Sequence, residues 1–424
     1  MERTQALKAF LDRAHSVYHA VSELAYMLQC AGYEALRESG EWQLSAGGKY
    51  YITRGESAVL AFRVPEGSPK GFLLSASHSD RPTFKVKENG ELTGKYTRLS
   101  VEKYGGMIIS SWLDRPLSIA GRVMVETAQG VESRLVDIDR DLLLIPNVAI
   151  HMNRTVNDSY KWNPAVDTLP LLGGEPGALK ALIEEEAGGK VLGHDLYLYV
   201  REKAKVWGVE EEYISSAALD DLACAWCCTQ GFLEADESRA IPVLCVFDSE
   251  EVGSGSVQGA ASNFLEGALE RICHSLELDP HRMLSQSFMV SADNAHALHP
   301  NHPELSDANN APVVNNGLVI KFNAALKYTT DGASSAVFRK ICDRADVPTQ
   351  TYYNRADIPG GSTLGYISLS HVSVPSVDIG LPQLAMHSAY ETAGCRDVEY
   401  LTDAMKAYYS CSLECPKDGV YLLK

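Results

Sequence analysis

The chain has 424 residues, so two domains or one large domain with an insertion are expected. Its formal net charge of −17 argues against nucleic acid and anionic membranes as partners. No stretch approaches the roughly 20 apolar residues of a membrane helix, and ten cysteines scattered through apolar surroundings point to buried thiols in a reducing, cytoplasmic compartment.

The opening residues, from about Thr4 to Ala31, carry charges through an apolar period near four and read as one long amphipathic helix stopped by Gly32, not as a signal peptide. Short strands are expected over 49–53 and 57–63, and a buried strand over 71–77 that ends at His78-Ser79-Asp80. From about Val86 to Val206 the texture changes to alternating strands and turns, with a Pro/Gly-rich stretch and an acidic helix over 178–187. This predicts an inserted β-rich domain, 87–206, splitting an α/β domain made of 1–86 and 207–424. The α/β alternation then returns. Helices are expected over 219–234, 260–276, 332–345 and 398–413, and strands near 243–247, 287–292, 318–323, 349–353 and 376–379. Cys224, Cys227 and Cys228 form a CxxCC inside the first of these helices, and with no second pair or histidine near they read as buried thiols.

The chemistry concentrates at strand ends. The apolar run from Val243 stops at Asp248-Ser249-Glu250-Glu251, where two adjacent carboxylates repel each other unless a cation answers them. The C-terminal edge of a parallel sheet is where ligands sit in open α/β folds. His78 with Asp80 two residues on pairs an imidazole with a carboxylate able to orient it. Asp220-Asp221 opens a helix, where capping alone would favour acids. Asp293 ends another apolar run and is followed by His296 and His299; His387 stands at a late strand-to-helix corner. Singly, each has a structural explanation. Together they offer two histidines, three carboxylates and a spare glutamate to one sheet edge, a donor set suited to two divalent ions, zinc first, with cobalt and manganese as alternatives. Such ions would acidify a shared water and polarise a carbonyl, with Glu250 positioned to move the proton.

These stretches resemble the aspartyl aminopeptidase family of dinuclear zinc aminopeptidases over nearly the whole chain. The segments that carry the resemblance are His78-Ser79-Asp80-Arg81-Pro82 with Lys87, Asp114 to Val123, Ile150-His151-Met152-Asn153-Arg154, Glu212 to Leu222, Glu250 to Ser254, Ser291 to Asn301, and Ala385 to Ser388, in the family's order. The resemblance implies a mixed-sheet α/β/α metallo-aminopeptidase domain with an inserted β-rich oligomerisation domain. It implies that His78, Asp220 and Asp293 hold one metal, that Asp220 bridges to a second held by Glu251 and His387, that Glu250 is the general base and that Asp80 backs His78. His296, Lys321 and Tyr328 would contact substrate, and His151 would reach a neighbouring subunit's site within a tetrahedral dodecamer. Two segments depart from the family pattern. Ala218-Leu219-Asp220-Asp221 replaces Arg-Leu-Asp-Asn, and Phe247-Asp248-Ser249 replaces His-Asp-Asn.

The expected activity is removal of one amino-terminal residue from peptides. Lys321, in an apolar strand, is the candidate to meet an acidic first side chain, although a neutral preference stays open. The alternative is a two-metal amidase or deacylase of acylated amino acids, for which Arg115 and Arg355 would clamp a substrate carboxylate. A non-catalytic scaffold is disfavoured by the intact set of ligand positions.

Overall fold

The computed structural model describes residues 2–424. Its centre is a nine-stranded mixed sheet in the order Glu34–Ala35, Lys49–Arg54, Ala58–Arg63, Ile241–Phe247, Phe72–His78, Phe288–Ala292, Ser376–Gly380, Leu318–Phe322, Thr349–Tyr353. The strand Phe72–His78 is parallel to both of its neighbours, Ile241–Phe247 and Phe288–Ala292. The 243–247 run is therefore parallel on one side, as the sequence predicts, but antiparallel to Ala58–Arg63 on the other.

The strands Ile241–Phe247, Phe72–His78 and Phe288–Ala292 are buried along their length because both faces are covered, and successive residues enter opposite cores. Val243, Cys245 and Phe247 join Phe62, Phe72 and the helix Phe264–Ser275 on one face. Leu244 and Val246 join the helices Leu219–Glu234 and Cys395–Ser410 on the other. All ten cysteines are free thiols, and the CxxCC trio is buried in the second core.

A separate five-stranded antiparallel sheet runs Arg98–Tyr104, Thr83–Leu92, Val191–Val200, Leu117–Thr127, Gly130–Asp137. It has its own core around Phe84, Trp112, Ile119 and Leu198, closed by Leu179 and Ile183 of the helix Ala178–Ala187. A third sheet, Lys205–Trp207, Tyr213–Ser216, Glu391–Gly394, Pro382–Leu384, Ala295–His296, is built from short strands that the periodicity does not reveal.

Several boundaries differ from the sequence expectation. The first helix is two, Glu2–Leu11 and Val17–Cys30, because Ser16 caps the second by accepting from His19 N–H while the Asp12 carboxylate turns away to accept from Ala204 N–H. The helix expected from 260 begins at Phe264, after turns closed by Gly259 N–H on Ser256 and Ala261 N–H on Ser254. The closing helix spans Cys395–Ser410 and is followed by an unforeseen hairpin, Leu413–Lys417 with Val420–Leu423.

Strand packing is tightest where it supports the sheet edge. A Cβ at Gly380 would lie 2.0 Å from the Asp293 carbonyl oxygen, a backbone atom that cannot swing aside. Gly380→Ala is expected to lower the unfolding free energy by about 1–3 kcal/mol; an unchanged denaturant midpoint would mean that the two strands part without cost.

Candidate metal centre

Three adjacent strands deliver their ends to one edge. Register pairs Phe247 with His78 and Ser291 with Ala76, so His78, the Glu250–Val252 turn and Asp293 emerge side by side. The third sheet supplies the rest. Asp220 follows Tyr213–Ser216, and His387 lies in the turn between Pro382–Leu384 and Glu391–Gly394. Asp220 and Asp221 have non-helical backbone angles, so the residues read as a helix cap do not belong to the helix proper.

The predicted ligands converge. Donor atoms of His78, Asp220 and Asp293 lie within 4.8 Å of one another, as do those of Asp220, Glu251 and His387, and those of His78, Glu250 and Glu251. His387 Nε2 is 3.3 Å from Asp220 Oδ2 and 3.5 Å from Glu251 Oε1, and His78 Nε2 is 3.7 Å from Asp220 Oδ1. Asp220 Oδ1 and Glu251 Oε1 are buried with no hydrogen-bond partner among the described residues. Leaving buried carboxylate oxygens unmatched is costly, and cation ligation satisfies them. The donor set fits a hard or borderline divalent ion.

The charges show the same demand. Burial, with the carboxylates of Asp293, Asp80 and Asp220 near it, pushes the Glu250 carboxyl up to about 8 even though His78 opposes the shift. Burial and Asp220 push Glu251 well above the usual carboxylate range, and burial raises Asp293 against the pull of Lys321. For His78, burial disfavours the cation, but the Asp80 hydrogen bond and the charge of Asp221 outweigh it and raise the imidazole.

Asp80 does more than back His78. His78 Nδ1 lies 3.2 Å from Asp80 Oδ1, while the same carboxylate accepts from Glu250 N–H at 3.1 Å, Glu251 N–H at 3.2 Å and Tyr104 Oη–H at 2.7 Å. It thus fixes the turn that carries both glutamates. Asp221, one of the departures from the family pattern, accepts from His78 N–H at 3.2 Å.

Among the proposed substrate contacts, Lys321 is fully buried. Its ammonium donates to the carbonyls of Asp293 at 2.7 Å and Asn294 at 3.3 Å, and lies 3.4 Å from Asp293 Oδ2. Tyr328 packs 5.2 Å beneath it. His296 is exposed, its ring edge-on to Tyr352. His151 sits in an exposed turn between Ile150 and Met152, outside the ligand cluster. Sequence reasoning missed Tyr104, Asn294 and Glu391. Asn294 accepts from Cys224 Sγ and donates to the Leu219 carbonyl, tying two ligand segments together. The only available signal for Glu391 was an acid four residues after His387.

A family model described as aminopeptidase I zinc metalloprotease (M18) matches residues 10–409. The chain belongs to the M18 family. It is 42% identical over 419 residues to a probable M18 family aminopeptidase 2 of Clostridium novyi, covering 95% of this chain and 97% of the relative. Among solved structures it is similar to the chain in a cryo-EM structure of the Ape4 and Nbr1 complex, with TM-score 0.93, 34% identity, and coverage of 96% of this chain and 85% of that one. It is also similar to the S. cerevisiae mApe1 dodecamer structure, with TM-score 0.84, 25% identity and 96% coverage of each chain. This M18 protein is accordingly a zinc metallo-aminopeptidase, a hydrolase that uses a divalent metal. Among the described residues, no helix is long and apolar enough to cross a membrane.

His78, Glu251 and Asp293 all hold their protons to higher pH than usual, so an ion held by them would compete with protons. Zinc binding to the stripped M18 protein at neutral pH is expected to release protons, and its affinity to fall from pH 8 to pH 6. Calorimetry in buffers of different ionisation enthalpy reads the release; a binding enthalpy independent of buffer would contradict it.

Proposed function

We propose that this M18 aminopeptidase removes the amino-terminal residue of peptides using two divalent ions, with zinc the first choice. His78, Asp220 and Asp293 would hold one, and Asp220, Glu251 and His387 the other. The supporting observation is that Asp220 belongs to both donor groups and, with Glu251, presents an unmatched buried oxygen to them. When bound, the ions supply Lewis acidity, acidifying a water and polarising the scissile carbonyl. Glu250 accepts the water's proton and returns it to the leaving amine; its raised basicity suits that exchange. Asp80 holds Glu250 and Glu251 by their amides and orients the His78 ring.

Lys321 is assigned a positioning role. Its three donors have three internal acceptors within 3.4 Å, so it steadies Asp293 and offers no free cation to an acidic substrate side chain. His296, Tyr328 and Tyr352 are proposed to wall the first-residue subsite. His151 is proposed to enter a second copy's site. Its turn carries Ile150 and Met152, the latter 83% exposed, and a relative is described as a dodecamer. We place the protein in the cytoplasm as a homododecamer assembled through the 87–206 insertion.

The deacylase reading needs a free cation for a substrate carboxylate. Arg115 is paired with Glu202 at 2.8 Å and Arg355 with Asp357 at 2.7 Å, so neither supports it.

The test is hydrolysis of Asp, Glu, Leu, Ala and Lys amides beside their N-acetyl forms, after metal stripping and reloading with zinc, manganese or cobalt. Cleavage of the acetylated forms would overturn the aminopeptidase reading. Glu250→Gln is expected to keep its metal and lose about 10²–10⁴-fold in kcat; near-normal turnover would remove Glu250 as the base. Lys321→Ala should lower the rate on every substrate alike, whereas a loss confined to Asp and Glu amides would restore Lys321 as the acidic-side-chain reader.

A further inference from the structure

We infer that Glu391 is the positioning residue that locks together the two loops carrying Asp220 and His387, and that it selectively sets the affinity of the ion held by Asp220, Glu251 and His387. The inference rests on the two-ion reading above.

Glu391 opens the strand Glu391–Gly394 and is 1% exposed. Its two oxygens are divided between two ligands: Oε1 accepts from His387 N–H at 2.7 Å, and Oε2 accepts from Asp220 N–H at 3.0 Å. The residues are far apart in sequence, and this carboxylate is a direct bridge between them. Each loop also passes through a left-handed backbone conformation that side-chain-bearing residues seldom adopt. His387 itself has φ 65°, Ala385 has φ 55°, and Ala218, two residues before Asp220, has φ 59°. Such conformations persist only where the surroundings over-determine them, and the Glu391 bonds do so at both ligands. With both amides held, His387 Nε2 comes to 3.3 Å from Asp220 Oδ2. Asp293, in the other donor group, is steadied independently by Lys321. Loss of Glu391 should therefore weaken one ion more than the other.

The fold contains an internal control. Asp397 is also fully buried and also accepts two backbone amides, those of Asn315 and Gly317, neither of which is a ligand. Asp397→Asn and Glu391→Gln remove equivalent buried carboxylates, and only the second touches the metal loops.

The experiment is a zinc titration against a chromophoric chelator, read beside zinc content by mass spectrometry, on full-length wild type, Glu391→Gln and Asp397→Asn. Two zinc ions per wild-type chain are expected. In Glu391→Gln one of the two ions should bind about 10–100-fold less tightly than either does in wild type, with the other changed severalfold at most, and Asp397→Asn should match wild type at both. Equal affinities in Glu391→Gln and wild type, or equal weakening in Asp397→Asn, would overturn the inference. A wild type that binds no zinc, or only one, would instead defeat the two-ion reading. Should Glu391→Gln not fold, hydrogen exchange on zinc-loaded wild type decides the matter: the Asp220 and His387 amides must exchange slowly, and fast exchange at either refutes the bridge.

Discussion

The structure depends on gathering acids in a place where they repel. Asp80, Asp220, Asp221, Asp293 and Glu391 are all buried where the central sheet meets the short third sheet, with Glu250 and Glu251 beside them. Two like charges 4 Å apart cost about 4 kcal/mol at an effective dielectric near 20. A few such pairs equal the entire stability of an ordinary domain, about 5–15 kcal/mol. Positive groups must therefore answer the acids, and they do so by division of labour. Lys321 answers Asp293, and backbone amides answer Asp80, Glu391 and Oδ2 of Asp221, whose Oδ1 is left without a hydrogen-bond partner among the described residues. The facing oxygens of Asp220 and Glu251 receive neither, only the His78 and His387 rings at 3.3–3.7 Å, and in the two-ion reading divalent ions answer them there.

That division explains why the scaffold is rigid where it is. In the two-ion reading, the acids that receive amides do not hold the ions; they fix the loops that would. Asp80 accepts from consecutive amides of the Glu250-Glu251 turn, and its carboxylate cannot satisfy both while the turn adopts another shape. The central parallel strands bring His78 and Asp293 in register from one side, and the short third sheet brings Asp220 and His387 from the other. Ile214 and Ala393 of the third sheet share one core with Leu73, Val246 and Val290 of the central strands, so common packing holds the two sets of donors against each other.

Much of this was legible in the sequence, for a physical reason. A strand buried on both faces has few charged residues along its length, so its end is marked where ionisable residues begin, as at His78, Asp248 and Asp293. The helix Leu219–Glu234 was equally plain, but its first acids were open to a capping explanation until the backbone proved non-helical at Asp220 and Asp221. Glu391, Tyr104 and Asn294 were not legible, because most of their partners are distant in sequence or are backbone groups. Lys321 was visible as a cation in an apolar strand, but the direction of its ammonium was not. The break at 12–16 in the N-terminal helix was hidden for the same reason, since Asp12 turns toward an amide 192 residues away.

The adjacency of Glu250 and Glu251 shows how burial assigns different work to identical side chains. Both sit on one short turn held by Asp80, and both are pushed toward protonation by burial and by their neighbours. Glu251 shares a donor group with Asp220 and His387, where an ion would compensate its charge and hold it ionised. Glu250 shares a group with His78 but is absent from the one containing His387, so its charge is compensated less and its affinity for a proton is kept. A general base works best when its basicity lies near the operating pH. In the proposed mechanism, the repulsion that would otherwise destabilise the edge is what keeps Glu250 basic enough to take a proton from water and acidic enough to give it back to the leaving amine.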